Sequence, residues 1–103
     1  MKTEHHLEEY EALAGMCKAL AHPARLAILQ LLAKRGTCVC GEVVEILPLS
    51  QATVSQHLKV LLQAGLITGR VDGQNSCYCL NGAEIARLRA NADALFGNLE
   101  SCC

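Results

Sequence analysis

The chain has 103 residues, which is the size of a single domain. Its residues are 51% hydrophobic but include only two tyrosines and one phenylalanine, so the core must be aliphatic, and such a composition favours helices over a β-sandwich. The 18% of charged residues argue against disorder, and the net charge of −1 permits a polyanionic partner without requiring one.

The first half of the chain predicts two helices. Residues 6–20 carry apolar side chains at steps of three and four, a helical stripe on which we expect Cys17 to fill core space. A second, more apolar helix begins at Pro23, with His22 near its cap, and ends at Gly36. Its many apolar residues predict a central helix that is buried on most sides.

The middle of the chain predicts a short strand followed by two helices. The strand covers residues 37–40 and is bounded by glycines, and the first helix runs from Gly41 to Leu47, where Pro48 stops it. Ser50 is a good N-cap for the next helix, which ends near Gly65. We expect the buried side of that helix to carry Val54, Leu58, Leu61 and Leu62.

The last third predicts a hairpin and a final helix. Residues 66–71 and 76–80 form the two strands around an Asp72-Gly73 turn. Residues 83–99 place apolar side chains at steps of 3, 4, 3 and 4, a seam that requires a partner helix. This order of elements, α-α-β-α-α-β-β-α, is that of a winged helix-turn-helix: a mainly α fold with a small β-wing.

The second helix of the predicted helix-turn-helix has short polar side chains that suit base edges and a lysine that suits phosphate. The hairpin tip lies where it can touch a flanking groove or the DNA backbone. The candidate DNA-binding residues are Gln51, Thr53, Ser55, Gln56, His57, Lys59, Arg70 and Gln74.

Seven cysteines in so short a chain first suggest a disulfide-bonded secreted domain. An odd number cannot pair completely, and the two C-x-C pairs and the terminal C-C are too close to join distant segments with themselves. The N-terminus does not read as a signal peptide, and no apolar run reaches about 18 residues. We therefore expect a cytoplasmic protein that does not enter the membrane, with cysteines used for thiolate chemistry or soft-metal binding.

Three segments together resemble one family. They are residues 18–29, residues 49–61 and Ala64 to Ile67, and the Cys38-Val39-Cys40 motif adds to them. The sequence is similar to the ArsR/SmtB winged-helix repressors, which respond to metals or metalloids. The resemblance implies a homodimer through helices 1–20 and 83–99, a helix-turn-helix at 41–62, a wing at 66–80 and a cysteine-containing tail at 100–103. Residues 50–62 would enter the major groove, and the implied interface residues are Tyr10, Leu13, Leu88, Leu95 and Leu99.

The arsenic site of this family implies Cys38 and Cys40 as ligands, followed by a third cysteine at position 43, where this chain has Val43. One replacement source is the returning wing strand. If Val39 and Tyr78 face the core, residues two apart put Cys77 and Cys79 on the same outer face as Cys38. The other source is the terminal pair Cys102 and Cys103.

The sequence thus predicts a DNA-binding repressor that a thiophilic metal or metalloid releases from its operator. As(III) is the first candidate inducer, Cd, Pb or Zn are the next ones, and no organic cofactor is expected. The alternative is a repressor of the same fold that senses thiol oxidation or persulfides through a cross-strand disulfide. An enzyme is not expected, because the chain has no C-x-x-C motif, glycine-rich phosphate loop or nucleophile elbow.

Overall fold

The computed structural model describes residues 3–36, 38–40, 47–70 and 77–102. Within these ranges the chain forms four helices and a three-stranded antiparallel sheet. The elements in chain order are α1 (Thr3–Leu20), α2 (Pro23–Arg35), β1 (Val39–Cys40), α3 (Gln51–Gln63), β2 (Ile67–Arg70), β3 (Cys77–Leu80) and α4 (Gly82–Cys102). The predicted helix from Gly41 to Leu47 and the Asp72-Gly73 turn lie outside the described residues, apart from Leu47 itself.

Local signals in the sequence fix both ends of α2. His22 has an extended backbone, and its Nδ1 accepts a hydrogen bond of 3.0 Å from the backbone N–H of Ala24. Pro23 occupies the first helical position, where a missing N–H costs nothing. Gly36 adopts the left-handed conformation, with φ of 69°, and ends the helix as predicted.

Helix α1 buries only part of the stripe that the sequence predicts, together with two residues outside that stripe. Its buried side chains are Leu13, Met16 and Ala19. Cys17 is exposed, so its assignment to the core is wrong. Tyr10 is 51% exposed.

The sheet has the order β1-β3-β2, with β3 in the centre. Val39 pairs with Tyr78 across β1 and β3, and both side chains are buried. Gly69 pairs with Tyr78 on the other side of β3 and has φ of 147°. A Cβ atom at position 69 would overlap the carbonyl oxygen of Cys77, so only glycine lets β2 approach β3 this closely.

One aliphatic core joins α1, α2, α3 and the sheet. Its fully buried large side chains are Ile28, Leu32, Val54, Leu61, Leu66 and Ile67. The core thereby fixes the orientation of α3 relative to α2 and to the strands on either side of it.

Helix α4 runs past the predicted end of the last helix. Residues 100–102 are helical, whereas the sequence predicts a tail there. None of the described side chains of α4 is fully buried within the chain. No helix in the described ranges combines the length and the apolar character needed to cross a bilayer.

Candidate nucleic-acid interface and cysteine cluster

Helix α3 presents a polar face that is anchored at its start. The Oγ of Ser50 accepts a hydrogen bond of 3.2 Å from the backbone N–H of Thr53, and the Ser50 hydroxyl donates to Thr53 Oγ1 at 2.9 Å. The first turn of α3 has no acidic residue, so its positive dipole end is not neutralised. Four predicted DNA-binding side chains are exposed and one, Ser55, is half-buried; the exposed ones are Gln51, Thr53, Gln56 and Lys59.

His57 does not belong to that exposed face. Its side chain is only 9% exposed, and its ring lies 4.3 Å from the ring of His22, measured between centroids. It shares the inner side of α3 with Val54, Leu58 and Leu61, to which it is related by steps of three, one and four. The expectation that His57 faces DNA is therefore corrected: its imidazole packs between α3 and the start of α2.

The environment of His57 disfavours a charged ring. Burial lowers the pKa of His57 below its ordinary value of 6.5, and the nearby His22 and Arg25 lower the same pKa further. The imidazole is thus neutral at physiological pH. This places a titratable group at the contact between α3 and the start of α2.

Two of the predicted DNA-contacting side chains belong to the wing and lie outside the described part of the chain. Gln74 lies outside the described residues. The backbone of Arg70 ends β2, but its side chain is outside the described part of the chain.

Four cysteines meet on one face of the sheet. The pairing of Cys40 with Cys77, next to that of Val39 with Tyr78, extends by one step to Cys38 and Cys79. Because alternate residues of a strand share a face, these cysteines lie opposite the buried Val39 and Tyr78. We refer to Cys38, Cys40, Cys77 and Cys79 as the cysteine cluster.

Within the cysteine cluster the sulfurs are joined in two cross-strand disulfides. One links Cys38 to Cys79, with a Cα–Cα distance of 4.3 Å, and the other links Cys40 to Cys77, with a Cα–Cα distance of 4.0 Å. Such short separations are typical of the non-hydrogen-bonded pairs of an antiparallel ladder, where side chains are closest. In the described ranges no group of three or more histidine, cysteine or acidic side chains forms a preformed metal site.

The Cys38–Cys79 pair borders a small groove. The groove has a volume of about 230 Å³, and the other described side chains and backbone around it are Leu32, Ala33, Gly36 and Leu80. These residues come from the last turns of α2, its cap and the end of β3. Both cysteines of this pair therefore border a groove whose other described residues are uncharged.

The remaining described cysteines lie elsewhere. Cys17 on α1 and Cys102 at the end of α4 are both exposed free thiols. Cys103 is outside the described residues.

The terminal helices pack against each other and still expose apolar side chains. Side chains of Tyr10, Leu13 and Leu95 line a shared groove between α1 and α4. Leu7, Phe96 and Leu99 are 57%, 56% and 54% exposed. Leu13, by contrast, is 8% exposed, so it belongs to the packing within one chain.

The fold agrees with that of proteins to which this chain is similar. Residues 20–70 match a family model described as a helix-turn-helix domain. The arsenical resistance operon repressor of Bacillus subtilis is 42% identical over 87 residues, which cover 84% of this chain and 74% of that protein. The chain belongs to the ArsR/SmtB family of winged helix-turn-helix repressors.

Other ArsR/SmtB proteins support the same assignment. The transcriptional repressor SmtB of Mycobacterium tuberculosis is 38% identical over 90 residues, covering 87% of this chain and 66% of that protein. An ArsR-like transcriptional regulator from Rhodococcus sp. RHA1 superimposes with a TM-score of 0.73, covering 91% of this chain and 88% of that one. At 23% identity, the latter likeness shows the fold alone.

This ArsR/SmtB chain is thus a transcriptional repressor and not an enzyme. The structure brings together Cys38, Cys40, Cys77 and Cys79, and it keeps Cys102 apart at the end of α4. The role of the cysteine cluster as a ligand set stays a prediction.

Proposed function

We propose that this repressor binds operator DNA as a homodimer and is released when As(III) binds thiolates of the reduced cysteine cluster. The observation that carries the proposal is the pairing of Cys38 with Cys79 and of Cys40 with Cys77 on one face of the sheet. Trivalent arsenic and the soft divalent metals Cd, Pb and Zn prefer thiolate ligands. The name of the Bacillus subtilis relative, an arsenical resistance operon repressor, supports a metalloid as the inducer.

The binding step requires reduced cysteines. Two equivalents of a thiol reductant convert each disulfide to two thiols and are themselves oxidised to a disulfide. Arsenous acid then exchanges three As–O bonds for three As–S bonds, and the three thiol protons leave with the hydroxides as three water molecules. Cys38 and Cys40 with one cysteine of β3 provide the three thiolates. The β3 cysteine replaces the third cysteine of the family motif, whose position is occupied here by Val43.

The position of the cysteine cluster connects such binding to DNA. β1 comes before the helix-turn-helix in the chain, and β3 comes after it, so a shared ligand constrains both ends of the segment that carries α3. Gln51, Thr53, Ser55, Gln56 and Lys59 would read the major groove, with Arg70 and Gln74 on the flanking DNA. A coupling of about 1–3 kcal/mol between the two sites changes operator affinity roughly 5- to 150-fold.

The homodimer is proposed from the exposed apolar side chains of the terminal helices. Tyr10 and Leu99 are more than half exposed, and Leu88 and Leu95 are half-buried on α4. Apolar surface on two adjacent helices, with no fully buried side chain on α4, is typical of an interface with a second copy.

The proposal is tested by fluorescence anisotropy on labelled operator DNA with phosphine-reduced protein. We expect arsenite to release wild-type protein and to have a much weaker effect on Cys38→Ser. Cys17→Ser is the matched control, because that thiol is exposed and lies on α1, outside the cysteine cluster. Release of Cys38→Ser at the wild-type arsenite concentration would contradict the proposed site.

The two disulfides favour one second candidate, a repressor that responds to thiol oxidation. Peroxide would take the two hydrogens of each thiol pair, forming one S–S bond and two water molecules, and a polysulfide would be an alternative oxidant. Intact mass measured alongside DNA release separates the candidates. Loss of two hydrogens per pair together with DNA release, and no release by arsenite, would favour oxidation.

A further inference from the structure

A larger groove lies between α1 and the end of α3, and we refer to it as the α1–α3 groove. Its volume is about 610 Å³, within the range of roughly 300–1,000 Å³ that is usual for small-molecule sites. Its described walls come from the middle and end of α1, the start of α2 and the last turn of α3 with its cap, and none of them belongs to β1 or β3. The α1–α3 groove is therefore separate from the cysteine cluster.

Small and apolar side chains form most of the walls of the α1–α3 groove. These uncharged lining residues are Ala12, Gly15, Met16, Ala19, Val60 and Ala64. A Cβ atom at position 15 would have no neighbouring atom within 4 Å, so the glycine leaves open space in the wall. Such walls suit a ligand with an apolar body.

Two cations, Lys18 and Arg25, lie together at one end of the α1–α3 groove. The Nη2 of Arg25 donates a long hydrogen bond of 3.5 Å to the carbonyl oxygen of Lys18, and the Nε of Arg25 is buried without a hydrogen-bond partner. Within the described ranges, neither cation forms an ion pair with an acidic side chain. A carboxylate at this end of the groove would give both cations the acidic partner that they lack.

The opposite end of the α1–α3 groove carries a negative charge. Glu11 lines it and precedes Lys18 by seven residues on α1, which puts both side chains on the same face of the helix, about 10 Å apart along its axis. The Glu11 carboxylate repels a second anionic group and attracts a cationic one. The groove therefore distinguishes between the two ends of an elongated ligand.

We propose that the α1–α3 groove binds elongated monocarboxylates with an apolar body. The ligand carboxylate lies beside Lys18 and Arg25, and the apolar chain runs along α1 towards Glu11. An extended chain of about eight carbons matches the spacing of the charged residues, and burial of this chain supplies the non-polar part of the affinity. A bound molecule touches both α1 and α3, so it is a ligand of the repressor at a second site, independent of thiolate chemistry.

The experiment titrates the full-length, ¹⁵N-labelled protein with octanoate under reducing conditions and follows the amide signals by NMR. We expect the signals of Gly15, Lys18 and Gln63 to move with a common dissociation constant, because these residues line the groove. The signals of β3 should stay in place. Neither arsenite nor operator DNA is present, so the result does not depend on the proposed function.

Variants of α1 test the location of the octanoate site. Gly15→Leu places a large side chain in the open space of the groove and should abolish binding, whereas Ala14→Leu, at an exposed position that does not line the groove, should not. Lys18→Gln should weaken binding about fivefold, as the loss of one exposed ion pair implies. The matched control Lys34→Gln, which removes an exposed cation at the end of α2, should leave binding unchanged.

Two further probes of the same length test the orientation of the ligand. We expect 8-aminooctanoate to bind about fivefold more tightly than suberate, because its ammonium group lies beside Glu11 where suberate has a second carboxylate. Glu11→Gln should remove this preference, and Glu100→Gln, at an exposed carboxylate on α4, should preserve it. The proposal is overturned if octanoate leaves the groove signals in place, if Gly15→Leu and Lys18→Gln bind it as the wild type does, or if Glu11→Gln keeps the preference.

Discussion

At the scale of single residues, His57 connects the recognition helix to the rest of the molecule. Its ring is buried against His22, and burial, His22 and Arg25 together lower its pKa. A proton is therefore taken up more readily by the unfolded chain than by the folded one. The contribution of neutral His57 to the free energy of unfolding is fully present above pH 6.5. It is lost as the pH falls from there towards the lowered pKa of His57 in the folded state.

We expect the free energy of unfolding to decrease as the pH falls below about 6.5, because protonation of His57 favours the unfolded chain. His57→Gln should remove that contribution and flatten the profile, since glutamine does not titrate. Urea unfolding at several pH values measures both profiles. An unchanged slope in His57→Gln would show that other groups cause the acid sensitivity.

Two residue-level predictions are wrong for different reasons. The polarity of His57 predicts an exposed side chain, whereas its spacing from Val54 and Leu61 puts it on the buried side of α3. The steps of three and four in α1 predict a buried Cys17, whereas Leu13, Met16 and Ala19 are the buried residues of that helix. Helical spacing gives the period of a buried stripe, but the side of α1 that is buried depends on the helices α2, α3 and α4 that pack against it.

At the scale of elements, local chemistry explains why the ends of α2 and the faces of β1 and β3 can be predicted from the sequence. The ends of α2 depend on His22, Pro23 and Gly36, which act within a few residues of themselves. The alternation of side chains along β1 and β3, with Val39 and Tyr78 on the buried face, is enough to predict which face carries the cysteines. The sequence has no comparable stop signal near the end of α4. It predicts an end at residue 99, whereas the helix continues to Cys102.

The cap of the recognition helix gives a prediction at this scale. Ser50→Ala removes the acceptor for the Thr53 N–H and should lower the free energy of unfolding by about 1 kcal/mol. Thermal unfolding measures the change. Ser101→Ala, whose hydroxyl donates to the Asn98 carbonyl on an exposed surface, is the control and should change stability by much less. Equal effects of the two substitutions would contradict a capping role for Ser50.

At the scale of the whole molecule, the folded chain is more elongated than a compact domain with the same number of residues. Its radius of gyration is 15.7 Å and its longest extent is 50 Å, whereas about 13 Å is expected for the radius of a compact chain of this length. The 21-residue helix α4 has no fully buried side chain among those described. An elongated protomer with an apolar helical face fits the proposed homodimer, which apolar periodicity alone cannot distinguish from a core.

Leu99→Glu should convert the proposed dimer to monomer, because a carboxylate at a 54% exposed apolar position would be desolvated in the interface. Sedimentation velocity measures the mass, and operator affinity should fall at least about tenfold with the loss of the second half-site. Ser101→Glu adds the same charge two residues along the same helix and is expected to stay dimeric. A dimeric Leu99→Glu protein would place the interface elsewhere.

The nesting of the two disulfides has a topological consequence for the DNA-reading segment. The bonds join residues 41 and 37 positions apart, and α3 and β2 lie inside the ring that they close. Closing a loop of about 40 residues restricts the unfolded chain by roughly 4 kcal/mol, and the inner bond adds little because the ring is already closed. A protease that cuts once within this ring leaves both fragments covalently attached, so a single nick separates them only after reduction.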